Sequence, residues 1–412
     1  MRQGSSSSSS TQNLRKTPLY DLHVSNGAKM VPFASFSMPV QYAGVSVSES
    51  HHFTRSRASL FDVSHMVQHT FRGPKAVPLL EKMTPCGVSS LGLFQSRLSA
   101  LLWPTGGIVD DTIITRTGEE IFHVVTNAAC REKDLGFIES QMGEMGIDRK
   151  MWRVEDNSGL VALQGPESEA ILNDVLTGDV NLREFYFGSA MHGKIKLLDG
   201  SMTREVLISR GGYTGEDGFE ISLIVSDEGN AVDEVTSLTE TLLKTAGPER
   251  LKLAGLGARD SLRLEAGMCL YGHDLDDKTT PVEAGLSWII PPARRKAGGY
   301  NGAEFIIPQL TPRSKGGKGV DRRRVGFVVE GAPAREGAEV VSKEGQKIGN
   351  ITSGSPSPTL GKNIAMGYIR DGFHKAGTEV DVVVRGKRRG AVVTKMPFVP
   401  AKYWKEDAAK LG

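Results

Sequence analysis

From Gly319 to Pro397 the sequence carries no helical pattern at all, and this constrains the chain more than any other feature. Short valine-rich runs such as Val325–Val329 and Val380–Val384 are broken by glycines, as in Gly331, Gly337, Gly345 and Gly386. Branched residues favour extended backbone, and regularly spaced glycine turns fold such runs back on one another, so the spacing predicts an all-β C-terminal domain. The grammar upstream is different. Ser59–Phe71 alternates like strands, and Gly73-Pro74 then opens a helix to about Met83. The order recurs in Leu160–Leu163, Gln164-Gly165-Pro166 and a helix to about Leu176. Proline in a first helical turn loses only an N–H that would be unpaired anyway, so Gly-Pro is a start signal. Ser201–Leu223 reads as two strands around a glycine loop, and Ala231–Thr245 as an amphipathic helix. The fold class is therefore α+β. The expected divisions are a tail (1–17), an α+β body of two intertwined domains (18–307), a Gly/Pro/Lys-rich linker (308–319) and a barrel-like all-β domain (320–404).

The 412 residues hold 50 Lys+Arg against 48 Asp+Glu, a net charge of +2. A chain so nearly neutral is not a general nucleic-acid or membrane-surface binder, and no apolar run approaches the roughly 18 residues of a membrane span. Neutrality conceals one band: Arg294–Arg324 carries nine cations and two acids, an excess of +7 over an otherwise acidic chain. Residues 1–17 contain the run Ser5–Ser10 and three cations without an acid, which suits equally a partial mitochondrial transit peptide and a disordered tail. Cys86, Cys130 and Cys269 are scattered and form no CxxC, consistent with reduced, buried thiols. His65 and His69 lie four residues apart in a strand, about 13 Å, too far to share one ion, and no metal site is expected.

Three motifs carry chemistry. Gly106-Gly107-Ile108-Val109-Asp110-Asp111 joins a glycine turn to the strand Thr112–Thr115, and alternation lets only one of the two carboxylates face a given pocket. The loop Gly211–Gly218 holds four glycines in eight residues, so backbone can approach a flat ligand, with Tyr213 to stack and Glu220 at the strand that follows. It lacks the GxGxxG spacing of a dinucleotide loop. Gly255–Asp260 precedes a helix and places Arg259 near its start, where a guanidinium can clamp a carboxylate or pair with a neighbouring acid.

Taken in order, FDVSHM (Phe61–Met66), GGIVDD, SRGGYTGEDGFE (Ser209–Glu220), GLGARDSLRLEAG (Gly255–Gly267), PVEAGLSW (Pro281–Trp288), TSGSPSPTLGKNIAMGY (Thr352–Tyr368) and KMPFVP (Lys395–Pro400) resemble the glycine-cleavage-system T-protein family of aminomethyltransferases, over nearly the whole body. The resemblance implies a three-domain cloverleaf around a central folate pocket. It implies transfer of the methylene carbon from the lipoyl arm of H-protein to tetrahydrofolate, in mitochondria. By position it makes Asp111 the key carboxylate, places Glu220 at the pterin edge and lets Arg259 bind the folate. It assigns Tyr403 to substrate contact, lines the pocket with Met66, Asn127 and Tyr213, and puts Arg324 on the lipoyl side. Ser35, Leu98 and Gly211 depart from the family pattern, Leu98 at a folate-contacting position. Relatives in iron–sulfur assembly carry a KGC-type motif where this chain has Tyr300-Asn301-Gly302-Ala303, and folate-linked oxidases add a flavin domain for which there is no room. A non-catalytic H-protein-binding module would not need Asp111, Glu220 and Arg259 together.

Overall fold

The structure, a computed structural model, describes residues 14–225 and 229–406. Ser158–Gln164 is buried along its whole length, as a strand covered on both faces must be. It pairs with Gly218–Ile224 and with Ala58–Asp62 at the centre of a six-stranded sheet ordered Ala190–Gly193, Val206–Arg210, Gly218–Ile224, Ser158–Gln164, Ala58–Asp62, Leu251–Leu253. The helix Ala231–Ala246 covers this sheet. Val235, Leu238, Leu242 and Ala246 recur at helical spacing and are buried in the core with Leu163, Phe219 and Ile221. Asn230 caps the first turn by accepting from the Val232 N–H, and Gly247 ends the helix at φ 74°. Burying each large side chain of that stripe contributes about 1.5–3 kcal/mol, so a polar residue at Leu238 or Leu242 would break the layer.

A second, five-stranded antiparallel sheet is ordered Ser96–Leu102, Ile108–Gly118, Ile121–Thr126, Val67–Arg72, Trp152–Val154. Helices Ala76–Met83 and Arg131–Glu144 pack on it. Ala58–Asp62 belongs to one sheet and Val67–Arg72 to the other, so the chain crosses between them in Val63–Met66, and it crosses back in the three residues between Trp152–Val154 and Ser158–Gln164. The first crossing is pinned by the Val63 N–H on the Leu160 carbonyl and by the Ser64 N–H on the Asp62 carboxylate, 2.9 Å.

Arg322–Val329, Lys362–Arg370, Lys347–Ser357, Glu339–Val341, Glu379–Val384 and Lys387–Thr394 close into a barrel. Glu379–Val384 alternates buried side chains with exposed or half-buried ones along its length, which is the period of two that a barrel wall requires. The helix Leu256–Glu265 joins barrel to body: Ala258 and Leu262 pack with Phe61 and Ala162, and Leu264 with Ile364 and Met366 of the barrel. At its end Glu265 accepts from Arg55 at 2.8 Å, from the Ser357 hydroxyl at 2.5 Å and from the Thr359 N–H at 3.0 Å.

Two expectations need correcting at their edges. Residues 1–13 of the expected tail lie outside the described residues, but 14–17 are part of the fold: Arg15 bridges Phe36, and the Thr17 hydroxyl donates to buried Asp62 at 2.6 Å. The linker expected at 308–319 starts too early. The helix Ala303–Leu310 continues through Pro308 because Ile306, Ile307 and Leu310 pack against Ile290 and Val320, and that burial outweighs the one hydrogen bond proline removes. None of the described helices is long and apolar enough to cross a membrane.

Candidate active site

The strand bearing the acidic pair starts at Ile108, earlier than the sequence suggests, so Asp110 and Asp111 are strand residues. Gly107 just before it is indispensable: a Cβ there would stand 1.8 Å from the Asp277 carbonyl oxygen. The ladder to Ser96–Leu102 shifts register beside the pair, with Leu101 opposite Asp110 and Leu102 opposite Ile108. Bulges re-aim neighbouring side chains, and here the two carboxylates are not segregated as simple alternation requires. The Asn127 amide donates to Asp110 Oδ1 and to Asp111 Oδ1, both at 2.9 Å, while the Asn127 backbone N–H donates to Asp110 Oδ2 at 2.7 Å. Asp110 is fully buried and Asp111 half-buried. Burial pushes the Asp111 carboxyl up to about 7, helped by the charge of Asp110. Burial raises Asp110 to about 6 against the pull of the Asn127 N–H groups. Asp111 thus changes charge close to neutral pH, which suits a group that handles charge or protons in a reaction.

A second set faces the same region. Glu220 stands on Gly218–Ile224, opposite Ser209 and Ala162, and its carboxylate accepts no hydrogen bond among the described residues. Burial raises its carboxyl, and Arg259 partly offsets this. Arg259, in the first turns of Leu256–Glu265, lies with its guanidinium 4.8 Å over the Tyr213 ring, and its Nη1 is buried without a partner. The Tyr213 hydroxyl donates to the Cys269 carbonyl, and the ring senses the charges of both Arg259 and Asp111. Met66 packs near by against Ala258 and Leu262. The glycine loop is held open by Gln164, whose side-chain amide donates to the Gly211 carbonyl at 2.9 Å; at Gly212, φ 153°, a Cβ would overlap Gln164. A buried guanidinium nitrogen without a partner is costly unless a ligand completes it, and the half-buried Glu220 carboxylate beside it is open to accept. They suit a flat molecule that offers N–H donors to Glu220 and a carboxylate or carbonyl to Arg259.

The structure thus brings Asp111, Asn127, Tyr213, Glu220, Arg259 and Met66 to one region. Tyr403 does not make contacts with that set: it stacks on Phe187 with centroids 4.3 Å apart, and its charged neighbours are Arg55 and Glu216. Arg324 is tied down by the Ala284 carbonyl at 2.8 Å, the Gly267 carbonyl at 3.0 Å and the Met366 Sδ at 3.1 Å. Leu98 packs in the cluster of Leu102 and Tyr300. The basic band is less free than its charge suggests. Arg294 pairs with Glu81, Arg313 with Asp321, Arg322 with Glu283 and Arg323 with Asp371, while Arg295 donates to the Ile290 and Ser287 carbonyls.

Sequence reasoning missed Asp134. Asp110, Cys130 and Asp134 place their ligating atoms within 4.8 Å of one another, all buried. Burial and the charge of Asp110 push Asp134 up to about 10, and burial carries the Cys130 thiol far above its usual range, so these groups hold protons. In the sequence Asp134 is merely an acid in a helical first turn, and nothing local marks its contact with a strand more than twenty residues away.

Comparison with known proteins bears on the whole arrangement. Residues 19–294 match the family described as GCVT N-terminal domain, and residues 322–400 match the glycine cleavage T-protein C-terminal barrel domain. The chain is 47% identical over 401 residues to a probable mitochondrial aminomethyltransferase of Schizosaccharomyces pombe, covering 97% of each chain. It is 43% identical to the mitochondrial aminomethyltransferase of Saccharomyces cerevisiae, covering 95% of this chain and 96% of that one. Among solved structures it is similar to the glycine cleavage system aminomethyltransferase T of Bartonella henselae, with TM-score 0.83, 38% identity, and coverage of 95% of this chain and 100% of that one.

Proposed function

The chain belongs to the glycine cleavage T-protein family of aminomethyltransferases, and from that premise we propose that its acceptor is tetrahydrofolate and its donor the aminomethyl group on the lipoyl arm of an H-protein. The relatives named above are mitochondrial proteins, and the same compartment is assigned to this chain.

In this reaction the carbon–sulfur bond of the donor breaks and the sulfur leaves as the dihydrolipoyl thiol. Ammonia is released, and the methylene carbon ends between two folate nitrogens. The two protons those nitrogens lose go to the sulfur and to the ammonia, so no oxidant or reductant is needed. The carbon passes through an electron-poor, iminium-like stage. A fixed carboxylate beside it stabilises that charge without reorganising water, an effect of about 3–4 kcal/mol for one well-placed group. Asp111 has this task, with its orientation set by Asn127. Glu220 accepts from the N–H groups of the pterin edge, and the free Nη1 of Arg259 binds the folate. Tyr213 and Met66 provide the flat wall; Arg324, held by the Ala284 and Gly267 carbonyls, is assigned to the lipoyl side, and Tyr403, stacked on Phe187 apart from this set, to a substrate contact outside it.

The observation that carries this assignment is Asp111 itself: a half-buried carboxyl raised to about 7, held by an amide, in the region where Arg259 Nη1 lacks a partner. The test is Asp111→Asn, which keeps the shape and removes the charge. It should still bind tetrahydrofolate yet lose most folate-dependent ammonia release from aminomethylated H-protein. Full turnover in that variant would remove Asp111 from the mechanism.

A further inference from the structure

Asp134 is the acidic group of this region to which the proposed roles leave no task. It has no exposed surface, neither of its carboxyl oxygens makes a hydrogen bond of good geometry to an N–H or hydroxyl, and the one hydroxyl that acts on it is that of Thr126. What it faces is Asp110, with the Cys130 thiol beside both. The neighbouring cation is engaged elsewhere: the Lys133 ammonium donates to the Tyr271 hydroxyl at 2.5 Å and to Asp277 at 3.0 Å. Two buried carboxyl groups this close repel when both are charged, whereas one proton between them converts the repulsion into a hydrogen bond. Asp110 already accepts two N–H groups from Asn127, a geometry that requires it to be the acceptor, so the proton sits on Asp134.

We propose that Asp134 is a positioning residue: as a neutral acid it donates its O–H to Asp110, Asp110 remains a carboxylate, and that carboxylate grips Asn127 so that the Asn127 amide is delivered to Asp111. The proposal rests on Asp111 being the working carboxylate. The upward push on Asp134 by burial is consistent with it. The other titratable groups facing this chain of contacts are Cys130, Lys133 and Tyr271 around Asp110 and Asp134, and Tyr213 and Asp274 near Asp111.

The consequence is a pH signature. The competent state has Asp110 and Asp111 both ionised, and the Asp134 donor makes that double charge easier to hold. Replacing Asp134 by leucine removes the donor at similar shape, so the acid limb of kcat should move to higher pH by about one unit, with kcat falling about fivefold at pH 7 and about tenfold at lower pH, and the KM for tetrahydrofolate little changed. Asp134→Asn supplies an N–H donor in place of the O–H and should restore most of both. Asp111→Asn, measured alongside, separates the two layers. If it keeps full turnover, the role of Asp111 fails. If it is inactive while Asp134→Leu keeps the wild-type limb and only lowers Tm, Asp134 is merely structural and the proposal is overturned. An Asp134→Asn variant as displaced as Asp134→Leu overturns it equally. Should Asp134→Leu not fold, Asp110→Asn tests the same contact from the other side: kcat falls and the acid limb moves down, because the neighbouring charge that raises Asp111 is gone, whereas an unchanged kcat refutes the proposal.

Discussion

Replacing Arg259 by methionine should separate binding from folding in one experiment. The guanidinium is buried over the Tyr213 ring at 4.8 Å, its Nη1 has no partner, and burial pulls its pKa below the ordinary range. Its contributions to the folded chain are a cation–π contact, worth about 0.5–2 kcal/mol, and attraction to Glu220. Against these stands the cost of keeping a charge out of water with a donor unused, which methionine abolishes at comparable volume. The two sides nearly cancel, so stability should stay within about 1 kcal/mol of wild type by denaturant unfolding. Binding has no such cancellation. A charge-assisted hydrogen bond from a buried guanidinium contributes about 1.5–3 kcal/mol, so tetrahydrofolate should bind roughly 10- to 150-fold more weakly by calorimetric titration. A large loss of stability with unchanged Kd would show that Arg259 holds the helix to the sheet and does not hold the ligand.

Further outcomes follow from the same contacts. Gly107→Ala drives a methyl into the Asp277 carbonyl oxygen and should cost at least about 1–3 kcal/mol of stability, with turnover falling as the adjoining acidic pair shifts; wild-type Tm and kcat would mean that the loop at 277 yields freely. Glu265 is held down at about 2, against burial, by His51, Ser357 and Arg55. Its folded pKa lies below its unfolded one, so its stabilisation is present above about pH 4.5 and lost as pH falls towards 2; Glu265→Gln should flatten that part of the stability–pH curve, and an unchanged curve would refute the assignment. Because most arginines of the Arg294–Arg324 band are engaged within the fold, the KM for H-protein should rise only severalfold with moderate salt, carried by Lys296, Lys315 and Lys318, and a hundredfold rise would mean the arginines swing out to bind.

The barrel was legible because its signal is local: a strand such as Glu379–Val384 alternates in sequence as it does in space, and glycine turns mark its neighbours. The helix Ala231–Ala246 was legible for the same reason, since its stripe and its cap lie within one segment. The linker was misjudged because Pro308 argues locally against a helix, while the packing that sustains it comes from Ile290 and Val320, which no short window contains. The intertwining of the two sheets runs through two short crossings, and the first, Val63–Met66, looks like any turn until Leu160 is seen to anchor it.

The same distinction explains what could be read of the active site. Asp111, Glu220 and Arg259 each sit in a motif whose order along the chain betrays the family, so their positions were readable while their environments were not. What makes Asp111 chemically useful comes from elsewhere: a bulge opposite Leu101 and Leu102, an amide from the end of the next strand, and a buried acid in the helix beyond it. An exposed Asp-Asp pair would ionise in the ordinary carboxylate range and do nothing at neutral pH. The fold turns it into a group with a pKa of about 7 by removing water and placing a second charge beside it, and that second charge is held on Asp110 in part by the two N–H donors of Asn127. The reactivity of the pair is therefore a property of three chain segments at once, and a change in any one of them should be felt first in the pH dependence of turnover and only later in whether the protein folds.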